Sequence, residues 1–144
     1  MEGQINITDP FKLFDYIKET HLASTGTFKY IAIEVVFKNT KPPTSLTFIR
    51  GDKSCAYHAD ILKKFLDSEI RASELKFNGK DLKDEVDISC PGGGRICYEP
   101  EKQSLAIYGY SMGFGQYDHN LAVEIMQRTM DLPESGYKVS FEGY

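Results

Sequence analysis

Along residues 27–38, "TFKYIAIEVVFK", apolar positions run almost unbroken and polar ones are few, and the pleat of a strand would put Ile31, Ile33, Val35 and Phe37 on one face. A run of this length rich in β-branched and aromatic residues predicts a central strand. The pleat carries Lys29 to that same face, where a cation at a strand end ordinarily reaches out to water. The turn signal "NTKPPT" precedes "SLTFIR", which predicts a second strand ending at Arg50. From there the period lengthens. "GDKSCAYHADILKKFLDSEI" (51–70) predicts a helix punctuated by Gly51 and capped by Asp52, with Cys55, His58, Ala59, Leu62 and Phe65 on its core-facing stripe.

Other stretches are shorter. "TDPFKLFDYIKE" (8–19) predicts an amphipathic helix capped by Thr8 or Asp9, with Pro10 in its first turn. Residues 71–87 are charged, turn at Asn78-Gly79, and read as a solvated excursion between core elements. "RICYE" and "SLAIYGY" predict strands, "DHNLAVEIMQRTM" a helix lined by Ala122, Ile125, Met126 and Met130, and "YKVSFE" a last strand. This order predicts an α/β (α+β) fold, a single mixed β-sheet of five to six strands with helices packed on its faces. The expected organisation is one domain over 26–144, preceded by an N-terminal extension, 1–25, that holds the short helix.

Composition narrows the partners. Of the 144 residues 41% are hydrophobic, enough for a packed core, while a net charge of −4 and no basic stripe argue against nucleic acid. Three cysteines cannot all pair, so reduced thiols in an intracellular protein are expected. The start "MEGQINITDPFK" has no leader pattern, and no run approaches the roughly 18 apolar residues that span a bilayer. The expectation is a cytoplasmic protein without membrane contact.

Several familiar chemistries fail on spacing. "CPGGGR" places four residues between Cys90 and Arg95, one short of the cysteine-phosphatase loop in which thiolate and guanidinium flank one phosphoryl group. The glycines of 109–115 lack the Lys-Ser or Lys-Thr of a nucleotide P-loop. No zinc spacing occurs, and "DEVD" makes no calcium loop. A site without metal or cofactor is what remains.

"YGYSMGFGQYDH" (108–119) joins a predicted strand to a predicted helix through three glycines. Gly113 and Gly115 let backbone amides turn toward one point, the helix start adds further donors, and Ser111 offers a hydroxyl. That is a cradle for a tetrahedral oxyanion, or an ordinary turn. "PGGGRI" reads as a second flexible turn, ending in Arg95. His58 on an apolar stripe is a buried histidine or a base, His119 in a helix's first turn reads as a surface residue, and His21 has no assigned role.

"FKY" (28–30), "IRG…YHADI" (49–61), "GGGRI" (92–96) and "YGYSMGFG…H" (108–119) together resemble, in order, the protein phosphohistidine phosphatase, or Janus/Ocnus, family. The resemblance covers roughly residues 26 to 144. It implies a metal-independent phosphatase acting on the P–N bond of phosphohistidine, and of phospholysine, in proteins, as a soluble monomer without cofactor. By the same resemblance His58 is the catalytic proton acceptor, and Lys29, Ser111, Met112 and Gly113 bind substrate. Arg50, Arg95 and His119 are supporting residues. The chain departs from the family pattern at Gly113, where alanine is common. Two functions stay open at this point: the phosphatase, and a non-catalytic module that binds phosphoprotein through the same pocket.

Overall fold

The computed structural model describes residues 4–143. Met1–Gly3 and Tyr144, the outermost residues of the two expected segments, lie outside it. In chain order the strands are β1 (Ile5–Ile7), β2 (Thr20–Leu22), β3 (Gly26–Phe37), β4 (Thr44–Gly51), β5 (Leu75–Phe77), β6 (Lys80–Asp81), β7 (Val86–Glu99), β8 (Ser104–Tyr108) and β9 (Tyr137–Val139). The α-helices are α1 (His58–Phe65), α2 (Leu82–Glu85) and α3 (His119–Gln127).

The α+β class expected from the sequence is what the structure shows, but the sheet is not single. Six strands form a mixed sheet in the order β2-β4-β3-β7-β8-β9, and β1-β5-β6 form a separate small one. The second sheet arises where a solvated excursion is expected. Leu75, Phe77 and Leu82 are buried, and the Phe77 ring packs tilted at 60° against Phe37 of the main sheet, ring centroids 4.8 Å apart. The charge of 71–87 hides a period of two that this apolar set completes. Residues 5–22 are likewise built into the fold: β2 pairs in parallel with β4, β1 pairs with β5, and Leu13 and Ile17 are buried in the core. The N-terminal helix is a single 3₁₀ stretch, Pro10–Asp15, capped by Asp9, whose side chain accepts from the Phe11 amide at 3.0 Å.

Strand β3 is the spine, with β4 and β7 antiparallel on its two sides. Its odd residues Ile31, Ile33, Val35 and Phe37 join Ile61 and Phe65 of α1 in one core. Its even residues Phe28, Tyr30 and Ala32 join Ala122, Ile125 and Met126 of α3 in the other. Lys29 therefore belongs to the α1 face and Tyr30 to the α3 face.

Two local readings change. Helix α1 begins at His58 rather than near residue 52, because the Tyr57 amide donates to Asp60 Oδ2 at 3.1 Å and fixes the first turn there. Its buried positions are consequently 58, 61 and 65, and Ala59 is exposed. The "PGGGRI" stretch is not a flexible turn but the middle of β7, with Gly92, Gly93 and Gly94 opposite Ala32, Ile31 and Tyr30. A Cβ on Gly93 would sit 2.3 Å from the Tyr30 carbonyl oxygen, and one on Gly94 2.4 Å from that of Tyr108. The glycines serve close approach of neighbouring backbone rather than mobility. The extra residue of the Cys90–Pro91 step is taken up as a bulge between Ala32 and Glu34.

Candidate active site

His58 opens α1 and is 6% exposed. Its Nε2 lies 2.9 Å from the carbonyl oxygen of Gly94. A carbonyl only accepts, so Nε2 carries the proton and donates, and Nδ1 keeps a lone pair. Nδ1 has no partner among the described residues. Burial lowers the pKa of this ring below the ordinary histidine value, the Gly94 bond opposes that, and the charges of Lys29 and Arg95 lower it further. A neutral imidazole poised to accept a proton is the outcome.

Lys29 and Arg95 stand directly opposite each other on β3 and β7, so both project on the α1 face. The Lys29 ammonium donates to the Ala56 carbonyl at 2.8 Å, at the turn just before His58. Its other two N–H groups meet no acceptor among the described residues. Two cations and a neutral base thus share one patch of the sheet.

The loop 111–115 reaches the same face. Ser111 and Gly115 exchange backbone hydrogen bonds of 3.0 and 2.7 Å, and the Phe114 amide donates to Ser111 Oγ at 3.1 Å. The ring of Phe114 packs against the α1-side core. Gly115 has φ +88°, the left-handed turn that favours glycine. The amides of Met112 and Gly113 have no acceptor among the described residues, Met112 is 80% exposed, and Ser111 is buried. The loop hangs on β7, since Gly93 donates to the Gly115 carbonyl at 3.0 Å and accepts from the Tyr117 amide at 3.2 Å. Adjacent glycines of one strand therefore hold the two halves of the site: Gly93 the loop, Gly94 the imidazole.

Two expected supporting residues lie elsewhere. Arg50 packs over the Phe48 and Phe65 rings, about 10 Å along α1 from His58. Its five N–H groups are all committed, two to Glu69 at 2.8 Å each and three to the carbonyls of Lys18, Glu19 and Ile49. None is left for a substrate. His119 is not a surface residue but fully buried on the α3 face, because α3 places its first turn against the sheet. There Nε2 donates to the Gly109 carbonyl at 2.8 Å, and Nδ1 accepts from the Tyr30 hydroxyl. Burial lowers its pKa. It touches the root of the loop, not its tip.

Cys90 does not add a reactive thiolate to this face. Burial pushes the Cys90 thiol up to about 11, against a weak bond to the Gly92 carbonyl, so it stays protonated at neutral pH. No three His, Cys, Asp or Glu side chains among the described residues are grouped to hold a metal. A cavity of about 400 Å³ lies beside Arg50, Phe65 and Tyr16 at the far end of α1, where neither His58 nor the loop lines it. That hollow is separate from the patch where His58, Lys29, Arg95 and the 111–115 loop come together.

The sequence matches the Janus/Ocnus family model over residues 14–134. The chain belongs to the Janus/Ocnus family. The "Sex-regulated protein janus-A" of Drosophila melanogaster is 37% identical over 124 residues, covering 86% of this chain and 79% of that one. Its Drosophila simulans counterpart is 36% identical over the same length. The "14 kDa phosphohistidine phosphatase" of Sus scrofa is 34% identical over 113 residues, 75% of this chain and 79% of that protein. No helix among the described residues is long and apolar enough to cross a membrane.

Sequence reasoning missed Gly94, Ala56 and Gly109, which act through backbone carbonyls and so leave no side-chain signal. It also missed Tyr30, whose hydroxyl donates to His119 Nδ1. Tyr30 was legible only as the face of β3 opposite Lys29.

Proposed function

We propose that this Janus/Ocnus chain is a protein phosphohistidine phosphatase that hydrolyses the P–N bond without a metal, with phospholysine as a second substrate of the same bond type. It acts as a cytoplasmic monomer on histidine-phosphorylated proteins. The observation that carries the reading is the His58 Nε2–Gly94 carbonyl bond. It commits the proton to Nε2 and leaves Nδ1 as an acceptor on a ring that feels the charges of Lys29 and Arg95.

In this reading Lys29, Arg95 and the amides of Met112 and Gly113 hold the phosphoryl oxygens, with the Ser111 hydroxyl beside them. His58 Nδ1 takes a proton from water as the water oxygen attacks phosphorus in line. The P–N bond breaks and its electron pair goes to the substrate's ring nitrogen. Phosphoryl transfer asks for position and charge stabilisation above all, which such a site supplies. A general base of this kind contributes roughly 10²–10⁴-fold.

The test is turnover of phosphohistidine protein by wild type and His58→Ala without added metal, with orthophosphate affinity measured alongside. Turnover lost by His58→Ala with phosphate affinity kept supports the phosphatase. Clean wild type that binds phosphate without turnover supports the binding module instead, the alternative that the near-complete burial of His58 favours. Rapid-quench labelling separates water attack from a phosphorylated His58.

A further inference from the structure

The loop 111–115 is suspended at its other end by a set of contacts that the chemistry above does not use. Gly109, at φ +75°, turns the chain off β8, and its carbonyl accepts twice: from His119 Nε2 at 2.8 Å and from Gln116 Nε2 at 3.0 Å. The same Gln116 amide nitrogen donates to the Phe141 carbonyl at 2.8 Å. One side-chain NH₂, with two hydrogens, thus ties the residue entering the loop, the residue leaving it, and the C-terminal tail. The tail is aligned for this. Beyond β9 the Ser140 amide donates to the Ile107 carbonyl at 3.0 Å, so residues 140–143 follow β8 toward its loop. The Phe141 ring stacks on His119, centroids 5.2 Å apart and planes 26° apart.

We propose that residues 140–143 clamp the oxyanion loop, with Gln116 as the positioning residue that transmits the tail's grip to Ser111, Met112 and Gly113. The identity of the loop as the oxyanion cradle rests on the proposed function; the clamp itself does not. With the clamp in place the Met112 and Gly113 amides are held before the phosphoryl group arrives, and less ordering is left to binding. Without it Gly109 and Gly115 let the loop sample other turns.

The experiment compares wild type, Gln116→Ala, a chain ended after Ser140, and their combination. Amide hydrogen exchange at Ser111, Phe114 and Gly115, whose amides are bonded within the loop, reads the clamp whether or not the loop binds phosphate. Each variant should speed that exchange by about tenfold, the worth of one or two partly exposed hydrogen bonds. The combination should give less than the sum of the two, since both remove the Gln116–Phe141 bond while each also removes one contact of its own, the Gly109 bond or the Phe141 stack on His119. Where wild type binds orthophosphate, the same variants should weaken that affinity by about five- to tenfold and raise KM, with the His58-governed midpoint of the pH profile unmoved. Exchange unchanged in Gln116→Ala, or effects of the two changes that simply add, overturns the clamp. Accelerated exchange in the variants, with wild type binding no phosphate, keeps the clamp and overturns the cradle.

Discussion

Replacing Arg50 by Met separates the fold from the chemistry. Methionine keeps the packing over Phe48 and Phe65 but supplies none of the five hydrogen bonds. Arg50 is 4% exposed, and the carbonyls of Lys18, Glu19 and Ile49 lose their donors at about 1 kcal/mol each. Glu69 is 32% exposed, so water recovers part of its lost pairing. The sum is about 3–5 kcal/mol, the usual cost of removing one member of a buried ion pair. For a domain of this size that lowers Tm by roughly 6–20 °C. Glu69→Gln, which keeps one acceptor, should cost less. Thermal unfolding reads the loss, and phosphohistidine turnover well below the variant's Tm reads the chemistry. The expected kcat/KM is within about threefold of wild type. A hundredfold fall in turnover with Tm unmoved would refute the assignment of Arg50 to the scaffold.

Turnover should persist below pH 6.5 and fall as pH drops through the lowered His58 pKa, since only the neutral ring accepts a proton. Lys29→Met, by removing one of the charges that lower it, should move the acid limb of kcat/KM to higher pH, and an unmoved limb would place Lys29 too far from the base. Stability should follow a related course. His58 and His119 both favour the neutral form in the fold, so the unfolded chain binds more protons below about pH 6.5, and urea midpoints should decline on acidification from there. Asp52 enters only later. Burial works against its charge, but hydrogen bonds from Lys64 and Ser54 hold it at about 2, so its contribution is present above about 4 and lost toward pH 2. Gly93→Ala should destabilise by at least about 1–3 kcal/mol, because its Cβ meets the Tyr30 carbonyl oxygen, while Gly113→Ala should stabilise by about 0.4–1 kcal/mol, because open space and an ordinary φ await it. Urea unfolding of the two alanine variants in parallel checks the contrast.

The strands β3 and β4 were legible because both are runs of β-branched and aromatic residues bounded by turn signals, and the face assigned to Lys29 is the one the structure gives it. Helix α3 was legible from Asp118 and its stripe. The glycine triplet misled because glycine serves both turns and close packing, and only the partner strand distinguishes them. The second sheet was illegible for a related reason: β1 and β5 lie far apart in sequence, and neither three-residue strand carries a pattern alone. His119 was misread because a helix's first turn faces solvent only when no sheet lies beneath it. Arg50 was placed near the site by its motif, yet its fork is spent inside the fold.

Lys29 and Tyr30 are neighbours in the chain and look in opposite directions, one toward the imidazole at 58, the other toward the buried ring at 119. A slip of one position in the pairing of β3 with β7 would send the ammonium into hydrocarbon and the phenol toward the imidazole at 58. One pairing register therefore sets both faces of the sheet at once. A misregistered chain could neither close its rear core nor bring Lys29 beside His58, so partly correct pairings have nothing to offer.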